Sequence, residues 1–145
     1  MGVSATRFHQ ISAGHRVCGH EGKCKYLHGH NYGFHLTCEP TEGLDSIGRV
    51  IDFSVIKELL CEWLEDNWDH HFLVWEEDLL KSFLLDIDPT VVVVPFNPTA
   101  ENLAGYMVNV VGPQQLSGTG VMLTKVIVDE TAKCSATYER ENHGK

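Results

Sequence analysis

Tyr32, Phe34, Leu36 and Cys38 alternate with more polar neighbours, the period of two expected of a strand with one buried face. Residues 3 to 13 read as an earlier strand, so the two suggest an antiparallel pair. The period then lengthens. After Asp52 or Ser54 as N-cap, Val55, Ile56, Leu59, Leu60, Trp63 and Leu64 follow helical spacing, and the helix ends near Asn67. A second helix opens near Pro98-Thr99 and carries Leu103, Tyr106, Met107, Val110 and Val111 on one face. From Val121 onward, Met122, Thr124, Val126, Val128 and Glu130 form one face of a strand, and Cys134, Ala136 and Tyr138 a face of another. The acidic segment 74 to 90 and the apolar run Val91 to Val94 are inserted between the helices. This order predicts an α+β fold, with two main helices on one face of a four-stranded antiparallel sheet.

No repeat, low-complexity tract or linker interrupts the pattern, so residues 1–145 are expected to form one domain. At 43% hydrophobic and 21% charged, the chain has the composition of a soluble globular protein. No stretch approaches the roughly 20 uncharged apolar residues of a membrane span, and the start, MGVSATRFHQ, lacks a signal-peptide run. A cytoplasmic location is expected. Five cysteines without an export signal read as reduced thiols rather than a disulfide framework. A net charge of -9 opposes attraction to a phosphate backbone, which argues against nucleic acid as a partner. The nine histidines are what composition leaves unexplained.

His28-Gly29-His30 sets two imidazoles at i and i+2, which extended backbone points to one face, and the intervening glycine leaves room. His15 is a plausible third ligand, where the first strand ends close to the start of the second. Three neutral imidazoles and one open position are the donor set of catalytic zinc. A rival set, Cys18, His20, Cys24 and His28, would make a structural zinc site but leaves His15 and His30 idle. His9, His35 and His143 are assigned no chemistry.

Cys24 lies four residues before His28, so a loop folded over the metal would bring its sulfur near a bound substrate as proton acceptor. Lys23 and Lys25 flank it and favour the thiolate. Cys38, Cys61 and Cys134 read as small buried hydrophobes. Asp69-His70 offers an imidazole beside a carboxylate, the usual build of a general base, with His71 as competitor. Glu130 interrupts an apolar strand face and needs a donor partner, such as the guanidine-like edge of a ligand. Thr99 and Glu101, at the start of the second helix, are further candidates for substrate binding. Arg16, Lys23, Lys25, Lys133 and Arg140 are candidate cations for an anionic substrate.

Together these residues resemble the 6-pyruvoyl-tetrahydropterin synthase family, and within it the 6-carboxy-tetrahydropterin synthase branch of queuosine biosynthesis. The resemblance rests on Phe8 through Arg16, Cys24-Lys25-Tyr26-Leu27-His28-Gly29-His30-Asn31-Tyr32, Val50-Ile51-Asp52-Phe53, Asp69-His70-His71-Phe72-Leu73, Pro98-Thr99-Ala100-Glu101-Asn102 and Glu130-Thr131. It implies zinc on His15, His28 and His30, Cys24 as proton acceptor with Asp69 and His70 as its relay, and Glu130 gripping a pterin ring. It also implies the tunnelling fold, a barrel closed by several subunits with active sites between them, and a homo-hexamer of two stacked trimers. Three residues between Cys24 and His28 resemble the carboxy branch, whereas five would resemble the pyruvoyl branch. The implied reaction converts 7,8-dihydroneopterin triphosphate to 6-carboxy-5,6,7,8-tetrahydropterin. A non-catalytic zinc or pterin-binding module is the alternative from another class. Two departures stand out: Gly14 where an alanine is common, and a stretch from Val74 to Phe96 longer than in compact members.

Overall fold

The computed structural model describes residues 2–141; His143 lies outside them. Strand β1 (Ala5–His15) pairs antiparallel along its whole length with β2 (His28–Pro40). Helix α1 spans residues 53–67, as Phe53–Ile56, a π-helical turn at Lys57–Cys61, and Glu62–Asn67. Its N-cap is Asp52, whose side chain accepts the Ser54 N–H as the first turn requires. Strand β3 (Phe72–Trp75), helix α2 (Lys81–Ile87) and strand β4 (Val92–Val94) follow. Helix α3 covers residues 100–115, again with a π-helical turn, at Met107–Val111, and is capped by Thr99 accepting from Asn102 N–H. Strands β5 (Val121–Asp129) and β6 (Ser135–Glu139) complete the fold.

The sheet has six strands in the order β4-β3-β1-β2-β5-β6, not the four expected. The 74–96 stretch is no appendage: with Phe72 and Leu73 it forms a strand-helix-strand unit. That unit adds two parallel strands beside the end of β1, through Gly14 opposite Phe72 and His15 opposite Leu73. Strands of four and three residues are too short to display a period, which is why the pattern hid them.

The main core lies between the sheet and the two long helices. Tyr32, Phe34, Leu36 and Cys38 from β2 meet Ile56, Leu60 and Leu64 of α1 and Leu103, Met107 and Val111 of α3. Burying each large side chain contributes about 1.5–3 kcal/mol. Neighbouring β3 residues face opposite ways: Leu73 joins this core, while Val74 packs with Leu84 of α2 and Val91 in a second, small cluster. The third helix therefore covers the other face of the sheet.

Strand β5 departs from the expected alternation. Thr37 pairs with Lys125 but Cys38 with Leu123, so Thr124 is the extra residue of a β-bulge. The bulge changes the parity. Val121 and Leu123 share the buried side with Val126 and Val128, and Met122 and Thr124 do not belong to that face. Past the bulge the expected phase holds, carrying Glu130 to the helix side of the sheet. A second correction concerns Cys134: Cys38 and Cys61 are buried, but Cys134 is exposed, because it ends the β5–β6 turn instead of lying within β6.

Candidate active site

The register of β1 on β2 assembles the histidines. His15 is the partner of His28, and Ala13, with its small side chain, is the partner of His30. The three rings converge, with ligand atoms within 4.8 Å of one another, and theirs is the single cluster of three or more metal-capable side chains among the described residues. The rival set with Cys18, His20 and Cys24 is not assembled.

Hydrogen bonds at the far side of two rings fix their orientation. His15 Nδ1–H donates to Pro98 O (2.5 Å) and His28 Nδ1–H donates to Tyr26 O (2.7 Å), so both Nε2 atoms carry their lone pairs inward. His30 Nε2 is buried with no hydrogen-bond partner, as is the Tyr32 hydroxyl beneath it. Burial, outweighing the bond to Pro98 O and reinforced by the neighbouring imidazoles, pushes His15 down to about 4. Burial also lowers His30. Neutral rings with converging lone pairs suit a divalent metal with a preference for imidazole.

Two glycines make this packing possible. A Cβ on Gly29 would lie 2.9 Å from Ala13 O, so a side chain there would push the strands apart. A Cβ on Gly14 would lie 2.6 Å from Phe72 Cδ2. The space an alanine would fill is taken by the ring of Phe72 on β3, which gives the first sequence departure a structural cause.

Glu130 follows the end of β5, and its carboxylate stands 3.7 Å from both His15 Nε2 and His30 Nε2. With Cys24, Thr99 and Glu101 it lines a cavity of about 310 Å³ that also includes Cys134. Thr99 has a structural duty as helix cap as well as this position.

Asp69 and His70 are not in the cavity of Cys24 and Glu130. Asp69 Oδ1 accepts Ser12 N–H (2.9 Å), and its Oδ2 lies 2.9 Å from His70 Nδ1. Burial opposes the Asp69 charge, yet Ser12 N–H and His70 hold the carboxyl below the usual range. His70 adopts a left-handed backbone (φ 63°), at a cost of about 1–2 kcal/mol, and its N–H donates to Ser12 O (2.6 Å). That turn presents the ring to solvent with 82% of its side chain exposed. His71 Nδ1–H instead donates to Thr90 O (2.7 Å), so His70, not His71, adjoins the carboxylate. His70 lines a separate, wide cavity of about 680 Å³ with Ser12, His28, His30 and Asn31. Glu130 thus links the histidine cluster to the Cys24 cavity, whereas His70 shares its cavity with His28 and His30 and not with Cys24.

Sequence reasoning missed Asp78. It forms a buried bidentate pair with Arg16, through Nε (2.6 Å) and Nη2 (3.0 Å), which removes Arg16 from the free cations. An aspartate in an acidic run gives no signal of its own. His9 and His35 are paired with Glu65 and Asp129.

An α+β fold with three converging histidines at the end of its central hairpin defines a candidate metal-binding domain. A family model described as 6-pyruvoyl tetrahydropterin synthase matches residues 4–141, and the chain belongs to that family. It is 33% identical over 134 residues to a Rickettsia bellii protein named 6-carboxy-5,6,7,8-tetrahydropterin synthase, covering 91% of this chain and 96% of that one. The structure of Caenorhabditis elegans 6-pyruvoyl tetrahydropterin synthase is similar at TM-score 0.68 and 27% identity, over 96% of both chains. An uncharacterized protein from Wolinella succinogenes shares the fold at TM-score 0.82 and 22% identity, over 96% of this chain and 98% of that one. No described helix is long and apolar enough to cross a membrane.

Proposed function

We propose that this chain is a zinc-dependent lyase, a 6-carboxy-5,6,7,8-tetrahydropterin synthase acting on 7,8-dihydroneopterin triphosphate with release of acetaldehyde and triphosphate. The observation that carries the reading is the cavity shared by Cys24 and Glu130 beside three converging imidazoles. The likeness to the Rickettsia bellii synthase supports the carboxy product over the pyruvoyl one, and with it a place in making the queuosine precursor.

His15, His28 and His30 would hold zinc, which when bound supplies Lewis-acid stabilisation of negative charge on substrate oxygen. Glu130 would accept paired N–H bonds from the pterin edge. Cys24 would take the side-chain proton next to the hydroxyls. Asp69 holds His70 Nδ1, leaving Nε2 as the proton-relaying atom.

We propose that a second subunit completes this relay, a reading supported by Cys24 and His70 lining separate cavities of one chain. Open edges support such an assembly: β1 pairs with β3 only through Gly14 and His15, and β6 ends the sheet. A cytoplasmic hexamer of two trimers is the assembly we propose. Mass spectrometry after incubation with dihydroneopterin triphosphate tests the reaction. Acetaldehyde and the 6-carboxy product are expected; retention of the three-carbon side chain would mean the pyruvoyl reaction, and ligand binding without turnover would mean a binding module.

A further inference from the structure

The buried Arg16–Asp78 pair joins three parts of the molecule. Asp78 belongs to the stretch inserted between the long helices, and none of its side chain is exposed. Its place there is set by turn bonds, Asp78 N–H to Trp75 O (2.9 Å) and Lys81 N–H to Asp78 O (3.0 Å). Its Oδ1 also accepts Leu80 N–H at 2.9 Å. The carboxylate is thus a fixed post, and Arg16, directly after His15, is bound to it by two nitrogens.

The third nitrogen points the other way. Arg16 Nη1 donates to Lys25 O at 2.9 Å, and the next residue along, Val17, donates its N–H to Cys24 O at 2.7 Å. Two successive carbonyls of the Cys24 loop are therefore held by two successive residues leaving β1. Asn97 holds the start of the loop, accepting Cys18 N–H (3.0 Å) and donating to Cys18 O (2.9 Å), but around Cys24 the loop has only a single 3-10 turn, Lys23–Lys25, with no buried residue. A buried ion pair is a weak means of stabilising a fold, because desolvation offsets most of the attraction, but its geometry is demanding.

We infer that Asp78, acting through Arg16, is a positioning residue that sets the Cys24 thiol in its cavity, so the inserted strand-helix-strand unit serves as a strut for the reactive loop. The effect on turnover rests on the proposed role of Cys24 as proton acceptor; the effect on the loop does not. Asn at position 78 keeps the shape but loses the charge and one acceptor, and Lys at position 16 keeps the charge but cannot reach both the carboxylate and Lys25 O.

The test compares Asp78→Asn and Arg16→Lys with the unaltered, zinc-loaded protein. Iodoacetamide alkylation is followed at each cysteine by peptide mass spectrometry, with exposed Cys134 as internal reference. Zinc content, melting temperature, kcat and KM are measured alongside. In both variants Cys24 is expected to alkylate at least about threefold faster relative to Cys134, with zinc retained. A displaced thiol should lower kcat by about 10- to 100-fold while KM moves less than about threefold. Unchanged relative alkylation of Cys24 in a folded variant would overturn the strut, whatever happens to turnover. Faster alkylation with unaltered kcat would leave the strut standing and instead remove Cys24 from the reaction. If neither variant folds, amide exchange in the unaltered protein decides: protection of Val17 N–H is expected, and free exchange there overturns the inference.

Discussion

The Nε2 atoms of His15 and His28 lie 3.0 Å apart, although the two residues are thirteen positions apart in the chain. The two are cross-strand partners at the open end of the β1–β2 pair, and the loop they bracket carries Cys24. His30 shares the face of His28 because it is two residues further along an extended strand. Backbone pairing thus forms the site before any ligand arrives, and Gly29 allows it by keeping clear of Ala13 O.

This arrangement predicts about one zinc per chain in the purified protein. His15→Ala, His28→Ala and His30→Ala should each lose most of it by elemental analysis. Cys24→Ala should keep its metal and lose turnover, since Cys24 is not in the cluster. Full zinc in all three histidine variants would refute the ligand assignment.

Glu130→Gln separates two roles that geometry brings close. If the carboxylate grips the pterin, replacing one acceptor with a donor should cost on the order of 2–4 kcal/mol, roughly 30- to 1000-fold in affinity, with zinc unchanged. Because Glu130 stands 3.7 Å from two of the Nε2 atoms, zinc is measured in the same sample. Loss of metal together with pterin binding would make Glu130 a ligand instead of an anchor.

Separate cavities for Cys24 and His70 make a prediction about mixed subunits. Cys24→Ala and His70→Ala should each be inactive, yet a mixture unfolded and reassembled together should recover about one quarter of normal activity, the share of sites pairing two intact residues. Light scattering should report a hexamer. No recovery from a properly assembled mixture would place both residues in one subunit's site.

Gly14→Ala should destabilise the protein by about 1–3 kcal/mol, the usual cost of overpacking, because its methyl meets the Phe72 ring. Phe72→Leu in the same chain should recover part of that loss. Denaturant melts of the two single variants and the double variant measure the coupling, and strict additivity would show that the two positions do not compete for space.

Asp78 gives the stability a dependence on acid. Burial alone would raise its carboxyl, but bonds from Arg16 and Leu80 N–H and the Arg16 charge hold it below the usual range. A carboxyl lowered on folding contributes fully above its unfolded value of about 3.9, and that contribution fades as pH falls through the lower folded value. Thermal melts below about pH 4 should therefore fall less steeply for Asp78→Asn than for the unaltered chain. Parallel slopes would show that Asp78 does not titrate with unfolding.

Features decided by near neighbours were legible from the residues alone. Asp52 and Thr99 announce helix starts because a short polar side chain reaches an N–H two or three positions on. Tyr32, Phe34, Leu36 and Cys38 announce a strand because alternation is a local property of extended backbone, and the same rule aligned His28 with His30. Beyond the β1–β2 pair and the His15 ligand it suggested, distant pairings were not legible. The parallel contact of Phe72 and Leu73 with Gly14 and His15, the bulge at Thr124, and the 62-residue separation of Arg16 from Asp78 leave no periodic trace. Each depends on which strand lies beside which, and that is settled only when the whole core closes. The position of His70 belongs with them: its residue type marked it as chemistry, but the left-handed turn that exposes its ring follows from docking the end of α1 onto Ser12.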